Sequence, residues 1–197
     1  MILSGPSGVG KGTLKARLME EFRGHVHFSV SATTRAPRAG ETEGEDYFFM
    51  SRDAFLRLME ADALLEHAEY NGNLYGTPRA AVEEVLMRGK DVILEIEVCG
   101  AKQVMKAMPE AVSVFILPPD PETLAARLRG RGTEDEETVR RRLERAALEI
   151  REAKDYTYTV VNDEIGRAYE ALRAIYLKHA GFMRGTCDKS QEEKPCR

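Results

Sequence analysis

Near its amino end the chain reads Gly5-Pro6-Ser7-Gly8-Val9-Gly10-Lys11-Gly12-Thr13. It fits G-x-x-x-x-G-K followed by Gly-Thr. An apolar start, Met1-Ile2-Leu3, precedes it, and a helix-like stretch from Thr13 to Phe22 follows. A strand, a Gly-rich loop and a helix in that order mark a phosphate-binding loop rather than a chance spacing. Gly5, Gly8, Gly10 and Gly12 are expected to let the backbone turn tightly and aim several N–H groups at one anion. The helix behind them adds the positive end of its dipole. Lys11 would set an ammonium on the outer phosphates. Lys11 is followed by Gly12 instead of Ser or Thr, so the hydroxyl that usually ligates Mg²⁺ is missing. Thr13 stands one residue too late to assume the same geometry.

Outward from this loop, strand and helix signals alternate. Val26 to Val30 alternates as a half-buried strand does. Ser31 to Gly44 is rich in Thr, Arg, Pro and Gly and reads as a loop. Tyr47 to Met50 and Leu64 to Tyr70 read as strands, with a helix to Glu60 capped by Ser51 between them. Asn71-Gly72 is a turn signal. Thr77-Pro78 reads as a helix start, with Thr at the N-cap. Asp91 to Glu97 is an apolar strand ending in acids, and Val112 to Leu117 is another. Helices follow from Pro119-Asp120-Pro121 to Arg129 and, after Gly130-Arg131-Gly132, from the capping-box pattern Thr133-x-x-Glu136 to about Ala153. A last strand, Tyr158 to Val161, and a helix over 163–179 complete the series. The pattern predicts an α/β fold: a parallel sheet flanked by helices, with a strand-rich insert near 32–81 and the phosphate loop at the carboxyl end of the first strand. Only four residues precede Gly5, fewer than an average strand of about 5–6, which raises the expectation of further apolar residues upstream.

Composition narrows the class. The chain has 197 residues, 43% hydrophobic and 31% charged, with a net charge of −4. That balance gives no bulk attraction to nucleic acid or to an anionic membrane, so an anion site must be local. No apolar run approaches the ~20 residues of a bilayer span, and Met1 opens no signal-peptide pattern. Cys99, Cys187 and Cys196 are odd in number and lack zinc-site spacing, so free thiols in a reducing cytoplasm are expected. Four scattered histidines are assigned structural or solvated roles. Residues 181–197 read as a polar tail expected to be disordered.

Two further segments carry chemistry. Ser29-Val30-Ser31-Ala32-Thr33-Thr34-Arg35-Ala36-Pro37-Arg38 places two arginines around a proline, and the guanidinium fork suits phosphate oxygens. Alone, that segment reads more readily as a solvated basic loop. Glu66-His67-Ala68-Glu69-Tyr70-Asn71-Gly72-Asn73-Leu74-Tyr75-Gly76-Thr77 adds two carboxylates, two aromatic hydroxyls and a Thr.

Taken in order, GPSGVGKGT, SVSATTRAPRAGE, YFF, LLEHAEYNGNLYGT, ILEIEVCGA, LRGRGT and VVND closely resemble the guanylate kinase family of P-loop nucleoside-monophosphate kinases, from residue 2 to about 180. The resemblance implies ATP-dependent phosphorylation of GMP and dGMP in purine nucleotide metabolism, in the cytoplasm, with Mg²⁺ arriving with ATP. It implies a core over 1–31 and 82–180, a lid over about 122–153 and a GMP-binding lobe over 32–81. Gly5, Ser7, Gly8, Val9, Gly10, Lys11, Gly12 and Thr13 would hold ATP, with Arg131 and Asn162 near adenine. Arg35, Arg38, Tyr47 and Tyr75 would bind the GMP phosphate. Glu66 would accept from guanine N1–H and the 2-amino group, with the Ser31 and Thr77 hydroxyls near O6. A carboxylate facing two donors fits guanine and leaves adenine an unpaired acceptor.

Glu95 and Glu97, two apart on a strand, would share a face, order magnesium-bound water and reach guanine. Members of the family often carry the shorter Asp where Glu97 stands. Lys11, Arg131 and Arg142 are the candidate catalytic residues, because phosphoryl transfer is mostly positioning and charge neutralisation. The other lid arginines, Arg145 among them, are read as surface partners of neighbouring acids, as in the i,i+4 pair Glu137 and Arg141. Acids interleave the cluster and no aromatic platform accompanies it, so nucleic-acid binding is not expected. Two rivals remain: a related kinase of a phosphorylated ribose, which needs no Glu66, Ser31 and Thr77, and a non-enzymatic guanylate-kinase-like scaffold, which needs no intact loop and lid. Oligomeric state is not legible.

Overall fold

The computed structural model describes residues 1–130 and 135–181. Arg131, Thr133 and the tail cysteines Cys187 and Cys196 lie outside them. Five strands form one parallel sheet in the order β2-β7-β1-β8-β9: β1 (Ile2–Ser4), β2 (Val26–Phe28), β7 (Asp91–Glu95), β8 (Ser113–Leu117) and β9 (Tyr158–Val161). The strands alternate between two apolar layers, as period-2 side chains must when helices cover both faces. Leu3, Ile93, Val114, Ile116 and Val160 pack with α1 (Lys11–Glu21) and α7 (Ile165–His179). Ile2, Val92, Leu94 and Phe115 pack with α3 (Arg79–Met87) and α4 (Val98–Ala107). β1 has three residues, all buried, and is held on both sides by β7 and β8.

The insert forms a second, four-stranded sheet in the order β4-β3-β6-β5: β3 (Ser31–Thr33), β4 (Tyr47–Phe49), β5 (Leu64–Tyr70) and β6 (Asn73–Pro78). Its small core of Ala32, Phe55, Leu64 and Leu74 is closed by α2 (Arg52–Glu60), whose N-cap Ser51 accepts from Ala54 N–H at 3.2 Å. Past β8, α5 (Pro121–Arg129) and α6 (Glu136–Arg151) pack on each other through Leu124, Leu128, Val139 and Ala146.

Several local expectations change. Ser31 to Thr33 is strand β3, because its backbone pairs with both β4 and β6. Thr77 caps no helix: β6 runs on through Pro78, α3 starts at Arg79, and the Thr77 hydroxyl turns to Glu66 instead. The cap of α6 is Asp135, which accepts from Thr138 N–H at 2.7 Å, two residues later than the capping-box pattern places it. β7 ends at Glu95, and Glu97 already stands at the N-cap position of α4, a helix the sequence reading missed. Glu95 and Glu97 therefore do not share one strand face.

Candidate active site

The chain leaves β1 at Ser4 and turns over the carboxyl end of the sheet before α1 begins at Lys11. Two of its glycines are obligatory. Gly5 has φ +141° and a Cβ there would stand 2.4 Å from the Ile116 carbonyl oxygen; Gly10 has φ +96° and its Cβ would stand 2.4 Å from Asn162 Nδ2. No L side chain fits either geometry without moving backbone or a buried amide. Gly12 is different. It lies in the first turn of α1 with nothing within 4 Å of a Cβ, so it does not shape the loop as expected. Lys11 Nζ donates to the carbonyls of Gly5 and Pro6, the latter at 3.0 Å, which draws its ammonium across the loop.

Asn162 lies beneath the loop. It is 3% exposed, and its Nδ2 donates to the Val9 carbonyl at 2.7 Å. Arg127 Nη2 donates to the Asn162 carbonyl at 2.9 Å. Both residues tie the loop to the end of β9 and to α5.

On the other side of the cleft the decisive feature is a β-bulge. Leu64 pairs with Pro78 and Glu66 pairs with Thr77, so Leu65 is an extra residue in β5. Bulges re-aim the side chains that follow them. Leu64, Leu65 and Glu66 are accordingly all buried, with Glu66 6% exposed. The new register sets Glu66 opposite Thr77, whose hydroxyl donates to Glu66 Oε1 at 2.7 Å. Burial pushes the Glu66 carboxyl above its usual range, the Thr77 bond opposes that, and the charge on Glu97 adds to it.

Around this pair, Ser31, Tyr47, Glu66, Tyr75, Glu95 and Glu97 line one cavity of about 200 Å³. Arg35 is held over the Tyr47 ring at 5.3 Å and gripped by Glu41, with Nη1 to Oε2 at 2.9 Å and Nη2 to Oε1 at 2.7 Å. Tyr47 and Tyr75 meet edge to face at 6.1 Å. Arg38 extends into solvent while its backbone N–H donates to Glu41 at 2.7 Å.

The two halves join. Lys11, Ser31, Tyr47, Glu95 and Glu97 line a neighbouring cavity, and Gly5, Ser7, Lys11, Glu97, Arg142 and Arg145 line a third. A continuous cleft thus runs from the phosphate loop to Glu66, with Glu97 at its midpoint. Lys15 pairs with Glu95 at 3.0 Å. Arg142 on α6 donates to the Ser7 hydroxyl. One turn later Arg145 donates to Glu97 at 2.7 Å and to Glu149 at 2.8 Å. Burial raises the Glu149 carboxyl, and Arg145 counters it.

Arg145 is therefore more than the surface partner expected of it. The signal that finds it is its i,i+3 spacing from Arg142, which puts both on one helix face. Arg129, Arg140 and Arg141 do pair with Glu136, Glu137 and Glu144 on exposed surface, as expected. Among the described residues no group of three or more His, Cys, Asp or Glu side chains gathers as a metal site, and no helix is long and apolar enough to cross a membrane.

The geometry agrees with what the chain is similar to. The family model described as guanylate kinase matches residues 1–179. The guanylate kinase of Desulfitobacterium hafniense is 50% identical over 90% of this chain and 88% of its own length. That of Trichormus variabilis is 50% identical over 87% of this chain and 86% of its own. Among solved structures, a guanylate kinase from Anaplasma phagocytophilum aligns with a TM-score of 0.68 at 38% identity, covering 91% of this chain and 84% of that one. With a glycine-shaped phosphate loop, a bulge that aims Glu66 into the cleft and a match along almost its whole length, the chain belongs to the guanylate kinase family.

Proposed function

We propose that the chain transfers the γ-phosphoryl group of ATP to the phosphate of GMP, and of dGMP. The observation that carries this reading is the single cleft that joins Lys11 and its loop to the buried Glu66–Thr77 pair. ATP phosphates would lie on the loop N–H groups of Gly5 to Gly12, with Lys11 leaving its two carbonyls for the outer phosphates. Thr13 and Asn162 belong to this end, Asn162 by holding the loop from below. GMP would lie with its base against Glu66, Ser31 and Thr77 and its phosphate toward Arg35, Arg38, Tyr47 and Tyr75. Glu41 holds the Arg35 fork in place before substrate arrives, which cuts the ordering cost of binding.

Phosphoryl transfer needs charge neutralisation more than a strong base, because the acceptor is already an anionic phosphate. Arg142 and Arg131 are assigned to the transferring group. Arg145 ties the same helix to Glu97, so closure of 122–153 over the core and of the lobe 32–81 would exclude water together. The residues present fit Mg²⁺ brought by the nucleotide: Glu95 and Glu97 line the same cavity as Lys11, where they would order the ion's water shell, and are too few to bind it alone. When bound, the ion supplies positive charge to the β/γ oxygens. A cytoplasmic enzyme follows from these substrates.

The test is ADP release with Mg·ATP and GMP, dGMP, AMP, CMP, UMP or ribose 1,5-bisphosphate offered separately. Turnover is expected with GMP and dGMP alone, and none in Lys11→Ala. Folded native protein that turns over ribose 1,5-bisphosphate, or binds GMP without turnover, overturns the reading.

A further inference from the structure

We propose that Gly100, on the first turn of α4, is a specificity-determining position: the missing side chain there is what allows the Glu66 carboxylate to stand where it reads the base. This rests on Glu66 being the guanine reader. Gly100 is buried and helical, and its backbone asks for no glycine, since its φ lies outside the left-handed region. What asks for glycine is a neighbour. A Cβ at Gly100 would stand 2.5 Å from Glu66 Oε2, 3.1 Å from its Cδ and 3.3 Å from its Cγ.

Something has to yield to a methyl group here, and α4 is not free to do so. Gln103, one turn on, accepts from His67 N–H at 3.1 Å and donates to the His67 carbonyl at 2.9 Å. This two-way clasp fixes α4 against β5 at the residue next to Glu66. β5 is in turn held by six paired positions on β6. The carboxylate is the flexible end of the contact, so the carboxylate moves. Its open direction is the cavity that it shares with Ser31, Tyr47 and Tyr75, which is where the base would lie. Restoring ordinary contact takes a shift of about 1 Å, and a misplacement of that size at a reacting or recognising group costs on the order of 10²-fold.

The experiment is a double-mutant cycle between Gly100→Ala and Glu66→Asp. It measures kcat and KM for GMP and for IMP, which lacks the 2-amino group, together with KM for ATP and Tm. In the native background Gly100→Ala is expected to raise KM for GMP by roughly ten- to a hundredfold and to lower GMP-over-IMP preference. ATP KM stays near native, and Tm falls by no more than loss of the Thr77 bond costs in Thr77→Val. In the Glu66→Asp background, where the side chain is one methylene shorter, the same substitution is expected to cost little further, the non-additivity of groups in contact. A packing defect alone would lower Tm and penalise both backgrounds and both nucleotides alike.

Gly100→Ala with native KM and native GMP-over-IMP preference overturns the proposal, as does an equal loss in both backgrounds. Should Gly100→Ala fail to fold, comparing the double variant with Glu66→Asp still decides, because a further loss of GMP-over-IMP preference there refutes displacement of the carboxylate as the mechanism. Glu66→Ala keeps the two readings apart: unchanged GMP-over-IMP preference in that variant means that Glu66 does not read guanine, whatever Gly100 does.

Discussion

Thr77→Val removes one hydroxyl and keeps the shape of the side chain, at a position that is 0% exposed. The lost bond runs 2.7 Å to Glu66 Oε1, inside the protein and to an ionisable group. Hydrogen bonds to charged groups contribute about 1.5–3 kcal/mol, and ~1.4 kcal/mol is tenfold in an equilibrium. The bond is made within the enzyme before GMP binds, so its loss lowers stability by up to that amount, and kcat/KM for GMP falls by at most about 10- to 150-fold, the share that comes from holding the carboxylate for the base. A second effect identifies the cause. Burial raises the Glu66 carboxyl and the Thr77 bond lowers it, so without the hydroxyl the group titrates at a still higher pH. Guanine N1–H and the 2-amino group both donate, so only the ionised carboxylate accepts from both. As pH falls through that raised pKa, GMP recognition is lost, and in Thr77→Val the loss begins at a higher pH than in the native enzyme. The assay is kcat/KM for GMP at saturating ATP from about pH 5 to pH 8, where ordinary carboxylates are already ionised. Thr77→Ser, which keeps the hydroxyl, should follow the native profile. If Thr77→Val superimposes on the native profile in both height and position, the Glu66–Thr77 pair is not what reads the base.

Two other outcomes follow from the same geometry. Glu66→Gln should lose GMP selectivity yet not lose stability at neutral pH: a carboxyl whose folded pKa is raised costs stability above that pKa, and the cost vanishes below the unfolded value of 4.5, so Tm of the variant against native should be equal or higher at pH 7 and the gap should close on acidification. Asn162→Ala breaks the bond to the Val9 carbonyl and leaves that buried acceptor with less support, which should cost about 1–3 kcal/mol of stability in urea unfolding and raise KM for ATP while KM for GMP stays near native. A rise in KM for GMP of the same size would refute a role confined to the loop.

Much of this was legible in the chain alone, for a physical reason. The phosphate loop, the Asn71-Gly72 turn, the Ser51 cap and the strands Leu64–Tyr70 and Tyr158–Val161 rest on neighbours in sequence, and short-range sterics and local hydrogen bonds decide them. The ordered motifs carried the family in the same way. Other features depend on distant residues. The bulge at Leu65 arises from pairing with β6, and without it Glu66 would alternate to a different face. Thr77-Pro78 has the local context of a helix start, but pairing with β5 carries β6 through Pro78, so α3 begins two residues later and the Thr77 hydroxyl is left to donate to Glu66. Gly12 looked like part of the loop, but it sits inside α1. Arg145 looked like a surface charge, because Glu97 lies 48 residues away in sequence and 2.7 Å away in space. Gly100 stands in the motif ILEIEVCGA, yet nothing in its neighbours says why a glycine is there, since what demands it is a carboxylate from another strand. Local periodicity and turn geometry encode the strands of the parallel sheet, the loop and the chemistry class, so the chain alone specifies them. Which side chains meet in the cleft depends instead on strand register and helix docking, which set distances between residues that the chain separates.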